Sequence, residues 1–309
     1  MAQSGEMVCQ DIAKVYDTGK RALSSISFTT PTKGIFALIG RNGAGKTTLA
    51  RILSTLLEPS SGRATIDGLD VMSDAATLRE RMAVVPQEGR TIPWMTPVQM
   101  ITTYLLWRGM SYKEARRKAE ESVARVGLQS HANRLNSTLS GGMKRKVLVA
   151  MVIASSSDFI FLDEPSTGLD PISRQELWDL LIDLSKEHFL FLTTHYLEEA
   201  EQIADRIGIL DDGKLLALGT MDELRAQVGR QYSLRVAPGA DLPAVQGEAM
   251  VGRDGWVQVM TSKDEAMDLS RKLIENHVQF AVNPITLDDI FYRVVGKTIT
   301  ADDNRGDRV

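Results

Sequence analysis

The chain has 309 residues, 43% of them hydrophobic and 25% charged, with a net charge of −4 at pH 7. That is room for one large α/β domain with an appendage, or for two domains, in an ordinary globular composition. The acidic balance argues against a nucleic-acid surface, and a single cysteine, Cys9, excludes both a disulfide framework and a cysteine zinc site.

The opening residues, "MAQSGEMVCQD", lack the apolar stretch of a secretory signal. No apolar run approaches the ~20 residues that span a bilayer, so the chain is not expected to cross a membrane by itself. From residue 7 to 39 the pattern is that of strands: "ALSSISF" alternates, and "GIFALIG" is a continuous buried run. "TTLARILSTLL" then takes helical spacing, and "MAVVPQ" is a short strand closed by a proline. Helical pattern follows from Thr96 to Ser155. "FIFLDEP" reads as a buried strand, "ISRQELWDLLIDLSKE" as a helix, "FLFLTTH" as a strand and "YLEEAEQIADR" as a helix. "IGILDDGKLLAL" predicts a hairpin around Asp212-Gly213, and Thr220 with Glu223 forms a capping box that opens another helix.

A smaller unit is expected from Gln231. "YSLRVA" and "AMVGRDGWVQVM" are strand-like, the second with a turn at Asp254-Gly255. "SKDEAMDLSRKLIENH" is an amphipathic helix capped by Ser262 and Glu265, "VQFAV" a strand and "TLDDIFYRVVG" a short helix. Trp256 and Phe291 read as core residues. The tail "ADDNRGDRV" is polar and expected to be disordered; its Arg305-Gly306-Asp307 is read as a chance match to an adhesion tripeptide.

The chemistry concentrates at a few strand ends. "GRNGAGKT" fits G-x-x-x-x-G-K-[ST] with Gly40, Gly45, Lys46 and Thr47, between a predicted strand and a predicted helix. Glycines let backbone N–H groups close around phosphate oxygens, and the helix N-terminus adds its positive dipole end. Lys46 supplies a point charge and Thr47 a hydroxyl for Mg²⁺. The apolar strand "FIFLDE" ends in Asp163, suited to backing a metal ion, and Glu164, suited to polarising water. Gln87 and His195 also end predicted strands, where ligands of open α/β sheets collect. His131, His188 and His277 read as structural. A second turn, "LSGGMKRK" from Leu139 to Lys146, also has the look of an anion-binding helix start.

In order and spacing these motifs resemble the nucleotide-binding subunits of ATP-binding cassette (ABC) transporters, over roughly residues 7–229. The resemblance implies an α/β fold: a P-loop cassette with a RecA-like core sheet, an antiparallel β subdomain and an α-helical signature subdomain, followed by a small α+β domain. The expected limits are 1–230 for the cassette (helical subdomain about 90–155), 231–297 for the accessory domain and 298–309 for the tail. It assigns ATP contacts to Tyr16, stacking on adenine, and to Gly40, Arg41, Asn42, Gly43, Ala44, Gly45, Lys46, Thr47 and Thr48. It assigns Mg²⁺ to Thr47, Gln87 and Asp163, and catalysis to Glu164, His195, Gln87 and Lys46. Leu139, Ser140, Gly141, Gly142 and Met143 would serve the ATP of a second cassette, beside a turn ending at Asp170. The expected partners are a second copy or a homologous cassette, and separate transmembrane permease subunits that would hold the chain at the cytoplasmic face of the cell membrane; no nucleic acid is implied.

One departure stands out: Met143 occupies the position where the family most often has glutamine. "SGGMKRK", "STGLDP" and "NPITLDDIFYRVVG" resemble the drug-, lipid- and polysaccharide-export branch, typified by daunorubicin-resistance ATPases. Trp94 and Met95, in the proline-flanked stretch Glu88–Pro97, suit either a membrane partner's helix or the chain's own helical subdomain. The alternative class is a soluble ABC-type ATPase of translation or DNA maintenance. Translation types usually carry two cassettes, and DNA-maintenance types a long coiled coil, for which the 52 residues between Gln87 and Ser140 leave no room. A P-loop GTPase would need an Asn-Lys-x-Asp guanine motif, which is missing.

Overall fold

The computed structural model describes residues 5–238, 249–251 and 255–303. They form two compact units, residues 1–218 and 219–309. No helix among the described residues is long and apolar enough to cross a membrane.

The first unit starts with β1 (Glu6–Val15) and β2 (Arg21–Pro31), an antiparallel pair whose alternating burial matches a sheet with one wet face. β3 (Ile35–Ile39) leads through the glycine loop into α1 (Lys46–Leu53). β4 (Ser61–Ile66) and β5 (Leu69–Asp70) return to the first sheet, whose order is β2-β1-β4-β5. These two strands and α2 (Ala75–Arg81) have no counterpart in the sequence reading. β4 pairs with β1 but has only two buried positions, so its run of Ser, Gly, Arg and Thr carries little periodic signal.

β6 (Met82–Val85) precedes three helices, α3 (Pro97–Trp107), α4 (Tyr112–Arg125) and α5 (Gly141–Ala154). Thr96 and Gln99 form a full capping box at the start of α3, with Pro97 in the first turn. The helical pattern expected from Thr96 to Ser155 is interrupted between α4 and α5 by two short 3₁₀ turns. Buried Asn136 decides this: its N–H donates to Met95 O (2.8 Å) and its amide to Ile92 O (3.0 Å). These tertiary bonds outweigh local helix propensity.

β7 (Phe159–Asp163), α6 (Pro171–Leu184), β8 (Phe189–Thr194), α7 (Leu197–Ile203), β9 (Arg206–Asp211) and β10 (Lys214–Gly219) complete the main sheet, in the order β10-β9-β3-β8-β7-β6. β3, β7 and β8 are buried at every position and lie parallel between neighbours, which is why they read as unbroken apolar runs. The turn between β9 and β10 has φ of 42° at Asp212 and 69° at Gly213, as a type I′ hairpin needs. A row of rings from Phe28 through Phe36 and Phe191 to Phe161, with centroids 5.6, 5.3 and 5.4 Å apart, runs through the core. The parallel register sets Ile39 beside Thr194 and Asp163 beside Thr193. The carboxyl ends of β3, β8 and β7 therefore open on one crevice, where doubly wound sheets bind ligands.

The second unit contains α8 (Met221–Val228), β11 (Tyr232–Val236), β12 (Ala249–Val251), β13 (Val257–Thr261), α9 (Lys263–Glu275), β14 (Phe280–Pro284) and α10 (Leu287–Asp303). Its antiparallel sheet has the order β12-β13-β11-β14 and packs Leu234, Val236 and Val259 against Leu269 and Leu273 of α9. Both capping boxes, Thr220–Glu223 and Ser262–Glu265, form. Trp256 and Phe291 are half-buried. Asp254, and residues 304–309 with their Arg-Gly-Asp, lie outside the described residues. α10 continues past Gly296 to Asp303, into the segment expected to belong to the tail.

Candidate active site

The loop from β3 to α1 is shaped by close backbone packing. A Cβ at Gly40 would lie 2.2 Å from the carbonyl oxygen of Leu210. Gly45, just before α1, takes φ 108°, a left-handed conformation that suits glycine. The first N–H groups of α1 are consequently aimed out of the turn, where an anion meets both donors and dipole.

Lys46 is 5% exposed. Its ammonium donates to the carbonyls of Gly40 (2.9 Å) and Arg41 (3.1 Å) and lies 3.7 Å from Glu164 Oε1. Burial pushes its pKa below the usual lysine value, while Glu164 and Asp163 pull the other way. Thr47 donates to Asp163 Oδ1 (3.1 Å), and Thr193 donates to the same oxygen. A hydroxyl backed by a carboxylate is a donor set that suits a hard divalent cation, and Gln87, on the wall of the same cavity as Thr47, carries an amide oxygen of the same kind.

Glu164 gathers the rest. It is 7% exposed. Its Oε2 accepts from Gln87 Nε2 and from Thr167 Oγ1, both at 3.1 Å. His195 Nδ1 stands 3.1 Å from the same oxygen, at an angle that leaves Nδ1 without a hydrogen bond. The backbone of Glu164 is left-handed, with φ 48°. Such a conformation costs a non-glycine residue about 1–3 kcal/mol and persists only where neighbours impose it. The His195 ring lies 4.1 Å from that of Tyr196, over which the Arg174 guanidinium sits at 4.5 Å.

Tyr16, Asn42, Gly43, Gly45, Lys46, Thr47, Thr48, Gln87, Glu164 and His195 line one cavity of about 620 Å³, together with Lys20, Ala22 and Thr167. Tyr16 is anchored there by a 3.1 Å hydrogen bond between its hydroxyl and Thr48 Oγ1. Gln87, Lys46, Glu164 and His195 thus share one crevice with most of the expected ATP contacts, whereas Gly40, Arg41 and Ala44 are not among its walls.

The second turn is elsewhere. None of Leu139–Met143 lines that cavity. Ser140 is the N-cap of α5, its Oγ accepting from Met143 N at 3.2 Å, which leaves the hydroxyl proton and the first α5 amides free to face an anion. Gly141 borders a different cavity of about 550 Å³, with Gln87, Arg90, Pro93 and Lys144 among its other walls. Asp170 caps α6 through Ser173 N (3.0 Å) and Ser173 Oγ (2.6 Å), and these bonds hold its carboxyl below the usual range.

Four polar residues in or behind the strand ends were not singled out in the sequence. Thr167 and Thr193 hold the carboxylates of Glu164 and Asp163, and sit inside motifs already recognised, "STGLD" and "FLFLTTH". Arg145 is 9% exposed and donates to the carbonyls of Asp163, Glu164 and Pro165; in "MKRK" it is indistinguishable from a solvated basic face. Glu199 is fully buried on α7 and accepts from Trp178 Nε1 at 3.0 Å, with burial raising its pKa.

The comparisons with known proteins agree with this geometry. The model of the ABC transporter family matches residues 23–167. The chain is 33% identical over 303 residues to the daunorubicin/doxorubicin resistance ATP-binding protein DrrA of Streptomyces peucetius, an alignment that covers 92% of this chain and 91% of that one. This protein belongs to the ABC transporter ATP-binding family. As an ABC ATPase it hydrolyses ATP in support of transport. It is homologous to drug-resistance export ATPases, including the doxorubicin resistance ATP-binding protein DrrA of Mycobacterium tuberculosis, at 39% identity over 229 residues (73% of this chain, 69% of that protein). Among solved structures, a dimeric post-hydrolysis state of the ATP-binding cassette MJ0796 bound to ADP and Pi superposes with a TM-score of 0.63 at 25% identity, covering 70% of this chain and 98% of that one.

Proposed function

We propose that two copies of this chain, or this chain and a homologous cassette, close head to tail around ATP and power export through separate membrane subunits. The observation that carries the reading is the separation of the two anion-binding turns. The crevice is lined by Lys46, Thr47, Gln87, Glu164 and His195, with Asp163 behind Thr47, yet none of Leu139–Met143 lines it. A turn with exposed Ser140 and Gly141 and free amide donors is suited to a phosphate carried by another protein chain. The dimer described for MJ0796 supports a paired arrangement, and the DrrA relatives support export.

Within the crevice, Glu164 accepts hydrogen bonds from Gln87 and Thr167 and so holds an oxygen where it can orient water for in-line attack on the γ-phosphorus and take up its proton. His195, beside the same carboxylate, is placed to donate to a γ-phosphate oxygen. Lys46 neutralises charge on the β- and γ-phosphates, and Tyr16 supplies a ring for adenine. Mg²⁺ bound with ATP neutralises phosphate charge; Thr47, Gln87 and Asp163 are the residues that would hold it. The partner's turn closes the open side and excludes water, which strengthens every charge contact inside.

Trp94, next in sequence to Pro93 on the wall of the second cavity, is 75% exposed, whereas Met95 is half-buried. A bare tryptophan at the rim of a groove suits a helix from the membrane subunit. That contact would bring the chain to the cytoplasmic face of the membrane as a peripheral subunit.

Mixed dimers test the pairing. Lys46→Ala ruins the loop of one copy, and Gly141→Asp sets a carboxylate against the γ-phosphate in the other. Each homodimer then has two spoiled sites. In the mixed dimer, one site combines the intact loop of the Gly141→Asp chain with the intact turn of the Lys46→Ala chain. The expected result is recovery of one occluded ATP per dimer. A verified mixed dimer that occludes none would refute the head-to-tail reading.

A further inference from the structure

Arg145 stands in the second turn of α5, close behind the Ser140–Met143 turn, and its side chain is committed within its own chain. It is 9% exposed, and its guanidinium is spent on three consecutive carbonyls: Pro165 O at 2.7 Å from Nε, and Glu164 O and Asp163 O at 3.1 and 3.2 Å from one terminal nitrogen. β7 ends at Asp163, so the carbonyls of Glu164 and Pro165 lie past the end of the strand. Glu164 is also the residue held at φ 48°. Its N–H is gripped from β8, by the carbonyl (3.0 Å) and hydroxyl (3.1 Å) of Thr193. Arg145 grips the other side of the same residue.

We propose that Arg145 is the positioning residue for Glu164: it holds the 163–165 turn in the left-handed bend that aims the Glu164 carboxylate at the reacting phosphate. Arginine is the side chain for this task, because its planar fork presents several fixed donors at once, whereas a lysine ammonium is a single mobile point. Burial of a guanidinium is costly, and it lowers the Arg145 pKa here; the three carbonyls offset that cost by accepting its hydrogen bonds. A consequence follows for the dimer. The helix whose first residues face the partner's ATP is keyed, one turn later, into the bend that hydrolyses this chain's own.

The inference rests on Glu164 acting on water, as proposed above, and the test keeps the two apart. Arg145→Lys should lower kcat about tenfold or more, since a ~1 Å misplacement of a reacting group can cost about 10²-fold. KM for ATP should stay within about twofold and the dimer should still occlude Mg-ATP, because the Ser140–Gly142 turn is untouched. Added to Glu164→Gln, Arg145→Lys should cause no further loss of the residual rate, because it acts only through that carboxylate. Arg145→Gln, which keeps size and loses the fork, should behave in the same way. Equal losses in the presence and absence of Glu164 would overturn the assignment. So would loss of occlusion in step with kcat, or a melting temperature that falls in step with it, which would make Arg145 a structural residue. Wild-type kcat in Arg145→Lys beside a dead Glu164→Gln defeats this inference alone; wild-type turnover in Glu164→Gln defeats the reading of Glu164 and this inference with it.

Discussion

Gly40–Thr48 and Leu139–Met143 are both glycine-rich starts of helices, and they sit in opposite surroundings. The first follows a strand buried on both faces and opens into a crevice where the segments just past β7 and β8 deliver Glu164 and His195, with Asp163 behind Thr47. The second lies on a helix at the edge of an open cavity, with Ser140 and Gly141 exposed and no carboxylate or histidine of its own among the cavity's walls. The same local device thus stands in two different settings. Sheet register surrounds one with chemistry, while the other is left as donors without a reaction. A glycine-rich turn offers donors by its local geometry, but a crevice with carboxylates and a histidine needs the strand ends around it.

Breaking the first region should have the largest effect. Glu164→Gln keeps shape and loses the carboxylate, and turnover should fall by about 10²-fold or more, the usual scale of a positioned base. Binding of Mg-ATP should persist, and ATP-held dimers should accumulate on size-exclusion chromatography. A variant that hydrolyses ATP at the wild-type rate would take Glu164 out of that role.

A smaller effect should come from the second turn, and for a reason inside the chain. A Cβ at Gly142 would lie 2.6 Å from Ser173 Oγ and 2.9 Å from Ser173 Cβ, on the first turn of α6. Gly142→Ala should therefore push α5 from α6 and cost about 1–3 kcal/mol of stability, as overpacking does. Ser173→Gly, added to it, should return most of the lost melting temperature. If the single variant melts with the wild type, the close approach of the two helices is not what requires glycine there, and only the partner's phosphate remains as the reason.

The smallest effect on the isolated chain should come from the open rim. Trp94→Ala removes an exposed side chain, so melting temperature and ATP binding should stay unchanged, the usual outcome for surface positions. Co-purification with the membrane subunit should fall. If co-purification and transport stay at wild-type level, Trp94 is not part of that surface and the groove beside it must be assigned differently.

The sequence alone determined the family, the parallel core and the identity of most groups in the crevice. Runs such as "FALIG", "FIFLDE" and "FLFLTTH" are apolar throughout because both faces of their strands are covered, and the chemistry follows where each run stops. Caps were equally legible, because Thr220–Glu223 and Ser262–Glu265 are contacts within one turn of chain. What only the tertiary structure decided are the relations between distant segments. β4 was silent because its partner β1 is some fifty residues away and supplies the pairing that its own residues do not announce. Asn136 broke an apparent helix through bonds to Ile92 and Met95. Arg145 looked like surface charge because nothing local to "MKRK" shows that three carbonyls, some twenty residues on, will accept its hydrogen bonds. Periodicity and local caps are written in neighbouring residues, whereas the aim of a catalytic carboxylate depends on donors that folding brings from elsewhere in the chain.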